Sequence, residues 1–414
     1  MAAEVAGQGY REEEFYVEGA ASAYVVQPAQ NRATPDAGNP YNFKTRVIVR
    51  RPVSAGRFNG TVILEWINAS SNSDQENDWL WSHEHLMREG YAYVGVTAER
   101  GGIEGTAYGL KKWNAARYGS LNVDAAGKFT ANELSYDIYS QVAQALKQPQ
   151  GVKLLGDLEV RNIIATGHSS SGARLNAYYN AIHPLAGVID GFVLHGAPGP
   201  RIRRDLKTPA WRLLAETDVT RAAALPQADH DYLRTWEVAG AAHADWDLIR
   251  VLDSLFARDW AQPPEELKCD KPVLSRVPSH VVQDAVYDWM KLWIEKGTPP
   301  PDAPPITMAS AGTGRGGSPG VVARDENGNA LGGIRLAEFA VPTATNTGVN
   351  SGGQYCNIVG SHVPFDAAKL ARLYPDRKAY VAAVERITDE NLKAGYITRE
   401  AAARTKQEAQ RPKQ

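Results

Sequence analysis

The stretch Gly167-His168-Ser169-Ser170-Ser171-Gly172 follows directly on the apolar run Asn162-Ile163-Ile164-Ala165-Thr166 and leads directly into Ala173-Arg174-Leu175-Asn176-Ala177-Tyr178-Tyr179. This pattern reads as a buried parallel strand that passes through a tight turn into a helix. Such a turn lifts a serine above the sheet edge only if the residues two before and two after it are small. Ser169 meets the demand with Gly167 ahead and Ser171-Gly172 behind, although Ser171 stands where a G-x-S-x-G pattern has its second glycine. Ser170 fits worse, because His168 would then fill the small position. A strand, a turn and a helix in this order restrict the chain to folds in which the two element types alternate.

The rest of the sequence supports that alternation. Phe15 to Val26 and Asn42 to Arg50 read as an opening antiparallel pair, and Thr61 to Ile67 and Tyr91 to Val96 as interior strands. Between the latter, Trp79, His83, Leu86 and Met87 recur at helical spacing, with Asp78 as a cap and Gly90 as the stop. Thr130 and Glu133 form a capping-box pattern ahead of Leu134, Ile138, Val142 and Leu146. Gly191 to Gly196, Ala210 to Ala215 and Leu233 to Ala239 complete an α/β architecture, a mostly parallel central sheet of about eight strands with helices on both faces. Val282, Val286, Trp289 and Trp293 mark a further helix that Gly297 and Pro299-Pro300-Pro301 end. Residues 1–297 are therefore the expected core. Residues 298–414 are the expected C-terminal extension, with a Gly/Pro-rich connection from Thr298 to Gly320, a hairpin at Asn327-Gly328 and a charged helical tail.

A serine hydroxyl is a weak nucleophile near neutral pH and needs a base within hydrogen-bond reach, oriented by a carboxylate. Glu216-Thr217-Asp218 follows the strand ending at Ala215, and His243 follows the last strand through Gly240-Ala241-Ala242. Serine, acid and histidine thus each lie beyond the carboxyl end of an expected strand. Asp218 is the favoured acid, because it stands a few residues past its strand, where a reverse turn can aim it; Glu216 is the rival. Among nine histidines, His362 is the other candidate base but lies beyond the expected sheet, His168 packs within the turn and His195 ends a strand beside it. A developing oxyanion requires two N–H donors. Ser170, at the start of the helix, is one, and Ala69 or Ser70 in the loop Asn68-Ala69-Ser70-Ser71 is the other.

Composition narrows the partners. Lys+Arg of 45 against Asp+Glu of 47 leaves no basic excess for phosphates, so neither nucleic acid nor a membrane is an expected partner. Met1-Ala2-Ala3-Glu4 has no basic region followed by an apolar stretch, which leaves two expectations, a cytoplasmic protein or one whose export signal has been removed. Cys269 and Cys356 are the two cysteines, and they read either as one bridge or as two unpaired buried thiols. His83 and His85, two apart on a helix, point to different sides, and the glycine pairs at Gly101-Gly102 and Gly312 to Gly317 lack the strand-to-helix setting of a phosphate cradle. Neither a metal nor a cofactor is expected. Asp325, Asn327 and Asn329 have the spacing of a calcium loop, but Ala330 replaces its glycine, so a hairpin turn is the expectation.

With the turn at Gly167 to Leu175, the runs Leu64-Glu65-Trp66-Ile67-Asn68, Glu216-Thr217-Asp218 and Trp236 to Asp245, and the late Cys356 to Phe365 segment, the chain resembles the large bacterial α/β-hydrolase domain-containing proteins, which are serine esterase-like. The resemblance covers most of the chain. It implies the α/β-hydrolase fold, with Ser169 as nucleophile, His243 as base, an acid within Glu216 to Asp218, and an exported origin. Members of this family often have Gln at the position of Ser170. The implied reaction is cleavage of a small-molecule carboxylic ester through an acyl-enzyme. An acyltransferase with the same three residues, a hydrolase of amides or of carbon–carbon bonds and a non-catalytic binding protein of the same fold are the alternatives. Trp66, Tyr108, Trp113 and Tyr118 hint at an aromatic or bulky substrate.

Overall fold

The computed structural model of the protein describes residues 2–27, 31–36, 38, 40–197, 199–223, 225–263, 266–313 and 318–411. Residues 314–317 of the expected connection and 412–414 of the tail lie outside the described residues.

The first ten strands in chain order are β1 (Tyr10–Ala21), β2 (Tyr24–Gln27), β3 (Arg32–Pro35), β4 (Tyr41–Pro52), β5 (Thr61–Trp66), β6 (Ala92–Val96), β7 (Asn162–His168), β8 (Gly191–His195), β9 (Ala210–Ala215) and β10 (Leu233–Val238). Eight of them form one mostly parallel sheet in the order β1-β4-β6-β5-β7-β8-β9-β10, while β2 and β3 pair separately as a hairpin. β1 and β4 pair antiparallel, as do β4 and β6, whereas β6, β5, β7 and β8 run parallel. The parallel strands are buried on both faces, which is why they read in sequence as near-continuous apolar runs.

Two expectations fail for identifiable reasons. The first strand begins five residues earlier than Phe15 and stops at Ala21, because Glu12, Glu13 and Glu14 pair with Arg50, Arg51 and Arg46 of β4 and so belong to the ladder despite their charge. Charged residues on an edge strand also discourage further strand addition. The Thr130/Glu133 capping box does not form: the helix Ser135–Lys147 starts later, and the Glu133 carboxylate accepts instead from the Ala131 N–H at 3.0 Å.

The chain divides into two compact units, and not at 297/298. The first comprises Met1–Trp211, His230–Leu233 and Met290–Thr298; the second comprises Arg212–Asp229, Arg234–Trp289 and Pro299–Gln414. In the first, Val62, Leu64, Trp66, Val94, Ile163, Ala165, Phe192 and Leu194 pack with Tyr139 and Val142 of the helix Ser135–Lys147 and with Tyr178 and Tyr179. Full burial of each Val, Leu, Ile or Phe side chain among them contributes roughly 1.5–3 kcal/mol. Trp66 and Tyr118 are core residues here, so they carry no hint about a substrate. In the second unit the C-terminal helices Arg377–Ala394 and Arg399–Gln410 contribute Val384 and Ala409 to a cluster with Ala337 and Val341. Cys269 and Cys356 form a disulfide, with Cα atoms 5.5 Å apart. No helix among the described residues is long and apolar enough to cross a membrane.

Candidate active site

In the first unit, β7 ends at His168 and a helix begins at Ser170, so that Ser169 takes the whole turn at φ 62°, ψ −119°. Positive φ in a non-glycine residue costs on the order of 1–3 kcal/mol and persists only where the surroundings impose it. They do so here. The Ser169 N–H donates to the His195 carbonyl at 2.9 Å, and its own carbonyl accepts from the Ala173 N–H at 2.9 Å. Gly172 permits the close crossing of helix and strand: a Cβ there would lie 2.6 Å from the Gly167 carbonyl oxygen, 2.7 Å from Ala197 Cβ and 2.8 Å from the His195 carbonyl oxygen. Ser171, at the second-glycine position of the motif, is fully buried, and its Oγ has no hydrogen-bond partner among the described residues. The departure from G-x-S-x-G is tolerated because the strict demand for glycine falls one residue later.

Asn68 fastens the neighbouring loop to this turn. Its Nδ2 donates to the His168 carbonyl at 2.8 Å and to Ser170 Oγ at 3.3 Å, while its Oδ1 accepts from the Ser70 N–H at 2.9 Å. That last bond corrects an expectation, because an N–H committed to Asn68 is not available to an oxyanion. Ser170 stands in the first turn of the helix, where its N–H has no intrahelical acceptor. Asn68 was missed in the sequence. The Asn-x-Ser spacing of an Asx turn was a usable signal for its bond to Ser70, but nothing local announced its reach of 100 residues to His168.

Below the turn lies a buried polar network. Asp78 does not cap the helix Asn77–Arg88 but sits inside it, with Oδ2 accepting from Thr166 Oγ1 at 2.7 Å and Oδ1 2.7 Å from His195 Nδ1. Glu65 of β5 takes over the capping, accepting from the N–H groups of Asp78 and Trp79 and from the Tyr93 hydroxyl. Burial, reinforced by the charge of Asp78, holds the Glu65 carboxyl well above the usual carboxylate range. His168 Nδ1 lies 3.2 Å from Asn77 Nδ2, and its ring meets Trp81 edge-on. His168 and His195 are thus structural supports of the turn.

In the second unit, a helix (Glu216–Ala222) starts at once after β9, with no intervening reverse turn, which places Asp218 in its first turn. Its Oδ2 reaches back to accept from the Ala215 N–H at 2.9 Å, and its Oδ1 stands 2.7 Å from His243 Nδ1. Both residues are buried. Glu216 is engaged elsewhere: Oε1 pairs with Arg324 Nη2 at 2.7 Å and Oε2 accepts from the Gly240 N–H at 2.9 Å. His362 Nδ1 faces the amide oxygen of Asn346 at 2.9 Å. Burial lowers the pKa of His362, with the nearby Arg276 charge adding to the effect.

Two groups of histidine and carboxylate side chains come within reach of a shared ion among the described residues, Glu4-His83-Glu84 and Asp245-Asp247-His280. Asp245 is committed, since its two oxygens accept from the Leu248 N–H and from Ser279 Oγ.

A family model described as an alpha/beta hydrolase domain matches residues 1–407. The chain belongs to the alpha/beta hydrolase domain family. Comparison with curated proteins finds no match. Solved structures similar to part of the chain include the esterase Est22 (14% identity, TM-score 0.29, 55% of this chain and 49% of that one). Others are a putative acetyl xylan esterase from Bacteroides fragilis NCTC 9343 (13%, 0.30, 56% and 67%) and a prolyl endopeptidase (14%, 0.29, 56% and 35%). The chain spans about half the length of the Est22 chain it matches.

Proposed function

We propose that the protein is a serine hydrolase that cleaves a carboxylic ester of a small molecule through an acyl-enzyme. Ser169 Oγ attacks the ester carbonyl as His243 Nε2 takes its proton; Nδ1 of the same ring is held by Asp218, which fixes the tautomer and stabilises the imidazolium. The Ser170 and Ala69 N–H groups receive the negative charge of the tetrahedral intermediate. His243 then returns the proton to the leaving alcohol, and a water molecule, deprotonated by the same ring, releases the acid and restores Ser169.

The observation that carries this reading is the strained conformation of Ser169 between a buried strand and the amino end of a helix. A fold gains nothing from that strain, whereas a nucleophile does. The Asp218–His243 pair supports it, because a buried carboxylate held against Nδ1 orients the imidazole and favours the tautomer a general base needs. The test is a chain-length and bulk series of aryl and alkyl esters, compared between the wild type and Ser169→Ala. Turnover should fall at least ~10³-fold with the melting temperature unchanged. Ester hydrolysis that survives in Ser169→Ala would refute the assignment, and an ester product formed with an added alcohol would make the protein an acyltransferase.

A further inference from the structure

Inside the second unit, most backbone N–H groups of the turn that carries His243 have hydrogen-bond partners, and the C-terminal extension supplies several of them. The Ala239 N–H donates to the Ile334 carbonyl at 3.0 Å, and the Ala244 N–H to the Ile358 carbonyl at 2.9 Å. The His243 N–H donates to Thr217 Oγ1 at 3.1 Å, and that hydroxyl donates in turn to the Gly348 carbonyl. Only glycine fits at 348, where a Cβ would stand 2.5 Å from both the Ala241 carbonyl oxygen and the Thr217 nitrogen.

The bond at Gly240 differs in kind. Its N–H is held by Glu216 Oε2, a carboxylate with no solvent exposure, whose other oxygen is neutralised by Arg324 of the extension. The segment that resembles a calcium loop in sequence serves this ion pair: Asp325 Oδ1 accepts from the Asn327 and Asn329 N–H groups, closing the turn, and Arg324 Nη1 donates to the Gly328 carbonyl at 3.1 Å. The guanidinium is thereby fixed at its base and aimed at Glu216. A buried carboxylate that lost this partner would be left uncompensated, and its hold on Gly240 would loosen.

We propose that Glu216 and Arg324 form a strut that positions the His243 imidazole, so that the C-terminal extension is a working part of the general base. The proposal rests on the reading of His243 as that base. Both are positioning residues that act through the turn at 239–243, so removing the strut lowers kcat and leaves KM alone.

The test compares wild type, Arg324→Ala and Arg324→Lys by ester kinetics and by the downfield proton resonance of the His243 Nδ1–H. In Arg324→Ala, kcat should fall about 10- to 100-fold with KM within about twofold, and the resonance should broaden or vanish. Arg324→Lys keeps the charge but not the fork that reaches Glu216 and Gly328 together. It should recover most of the resonance and lose about 3- to 10-fold in kcat, and it decides the matter alone if Arg324→Ala does not fold. Wild-type kcat in these variants, or a loss that tracks only the unfolded fraction while the resonance persists, overturns the strut. The resonance needs no substrate, so it still decides the strut if ester hydrolysis itself proves to be the wrong chemistry.

Discussion

Asp218→Asn should abolish most of the activity without unfolding the protein, and the geometry says why. Asp218 receives the Ala215 N–H on Oδ2 at 2.9 Å and faces His243 Nδ1 with Oδ1 at 2.7 Å. An asparagine has one acceptor and one donor end, and the backbone N–H of Ala215 requires the acceptor. The amide NH2 must then point at His243 Nδ1. Both bonds survive, so the cost in stability is about 1 kcal/mol, the difference between a charged and a neutral hydrogen bond. The imidazole, however, is forced to accept at Nδ1 and to carry its proton on Nε2, the nitrogen that should take the proton from Ser169. Wrong-tautomer variants of this kind lose on the order of 10³ to 10⁴ in kcat, about 4 to 5.5 kcal/mol of barrier. Glu216→Gln is the control. Its single acceptor faces two donors, Arg324 and the Gly240 N–H, so it should lose stability and only about tenfold in kcat. Steady-state kinetics on an aryl ester, with calorimetry on the same samples, measures both quantities. If Asp218→Asn keeps kcat within tenfold while Glu216→Gln takes the large loss, the assignment of the acid is wrong.

Three further predictions concern the frame around the site. Burial pushes the His183 imidazole down to about 4 from an ordinary 6.5, where it is packed on Tyr179 and Phe192 with Nε2 2.8 Å from Thr208 Oγ1. As pH falls below 6.5 the unfolded chain takes up this proton first. The contribution, about 3 kcal/mol, is therefore complete above pH 6.5 and is lost as pH falls through 4. The melting temperature of His183→Phe should lack this part of the acid slope, and a slope identical to wild type would exclude the histidine as its source. Ser171→Ala removes a buried hydroxyl that has no partner among the described residues and should raise stability by about 1 kcal/mol with kcat unchanged, whereas Gly172→Ala should cost about 3 kcal/mol; equal denaturation midpoints for the two would contradict the packing described. Reducing the Cys269–Cys356 bond, which spans a sequence separation of 87, should cost about 4 to 5 kcal/mol and lower the melting temperature by about 5 °C. A scan with and without reductant that shows no shift would mean that the link does not constrain the unfolded chain.

The parallel strands β5 to β8 were legible because burial on both faces forces apolar runs, and the turn at Ser169 because its steric demand is local. β1 was misread for the opposite reason. Its glutamates look like solvated surface until Arg46, Arg50 and Arg51 are seen opposite them. The acid was ambiguous because Glu216 and Asp218 share one helical turn, and the partners that separate their roles are distant in sequence: Arg324 lies 108 residues from Glu216, and His243 lies 25 from Asp218. Ser70 failed as a donor through a side-chain bond two residues away, which spacing alone does not reveal. The division of the chain was hidden too, since the segments 212–229 and 234–289 read as core yet group with the extension.

The central claim, that Ser169 is made nucleophilic by His243, is tested most directly by the rate at which a fluorophosphonate adds to the protein, followed by intact mass with the site mapped by peptide sequencing. One adduct per chain is expected, on Ser169, formed at least ~10³-fold more slowly in His243→Ala than in the wild type. An adduct on another residue, or labelling of His243→Ala at the wild-type rate, would contradict it.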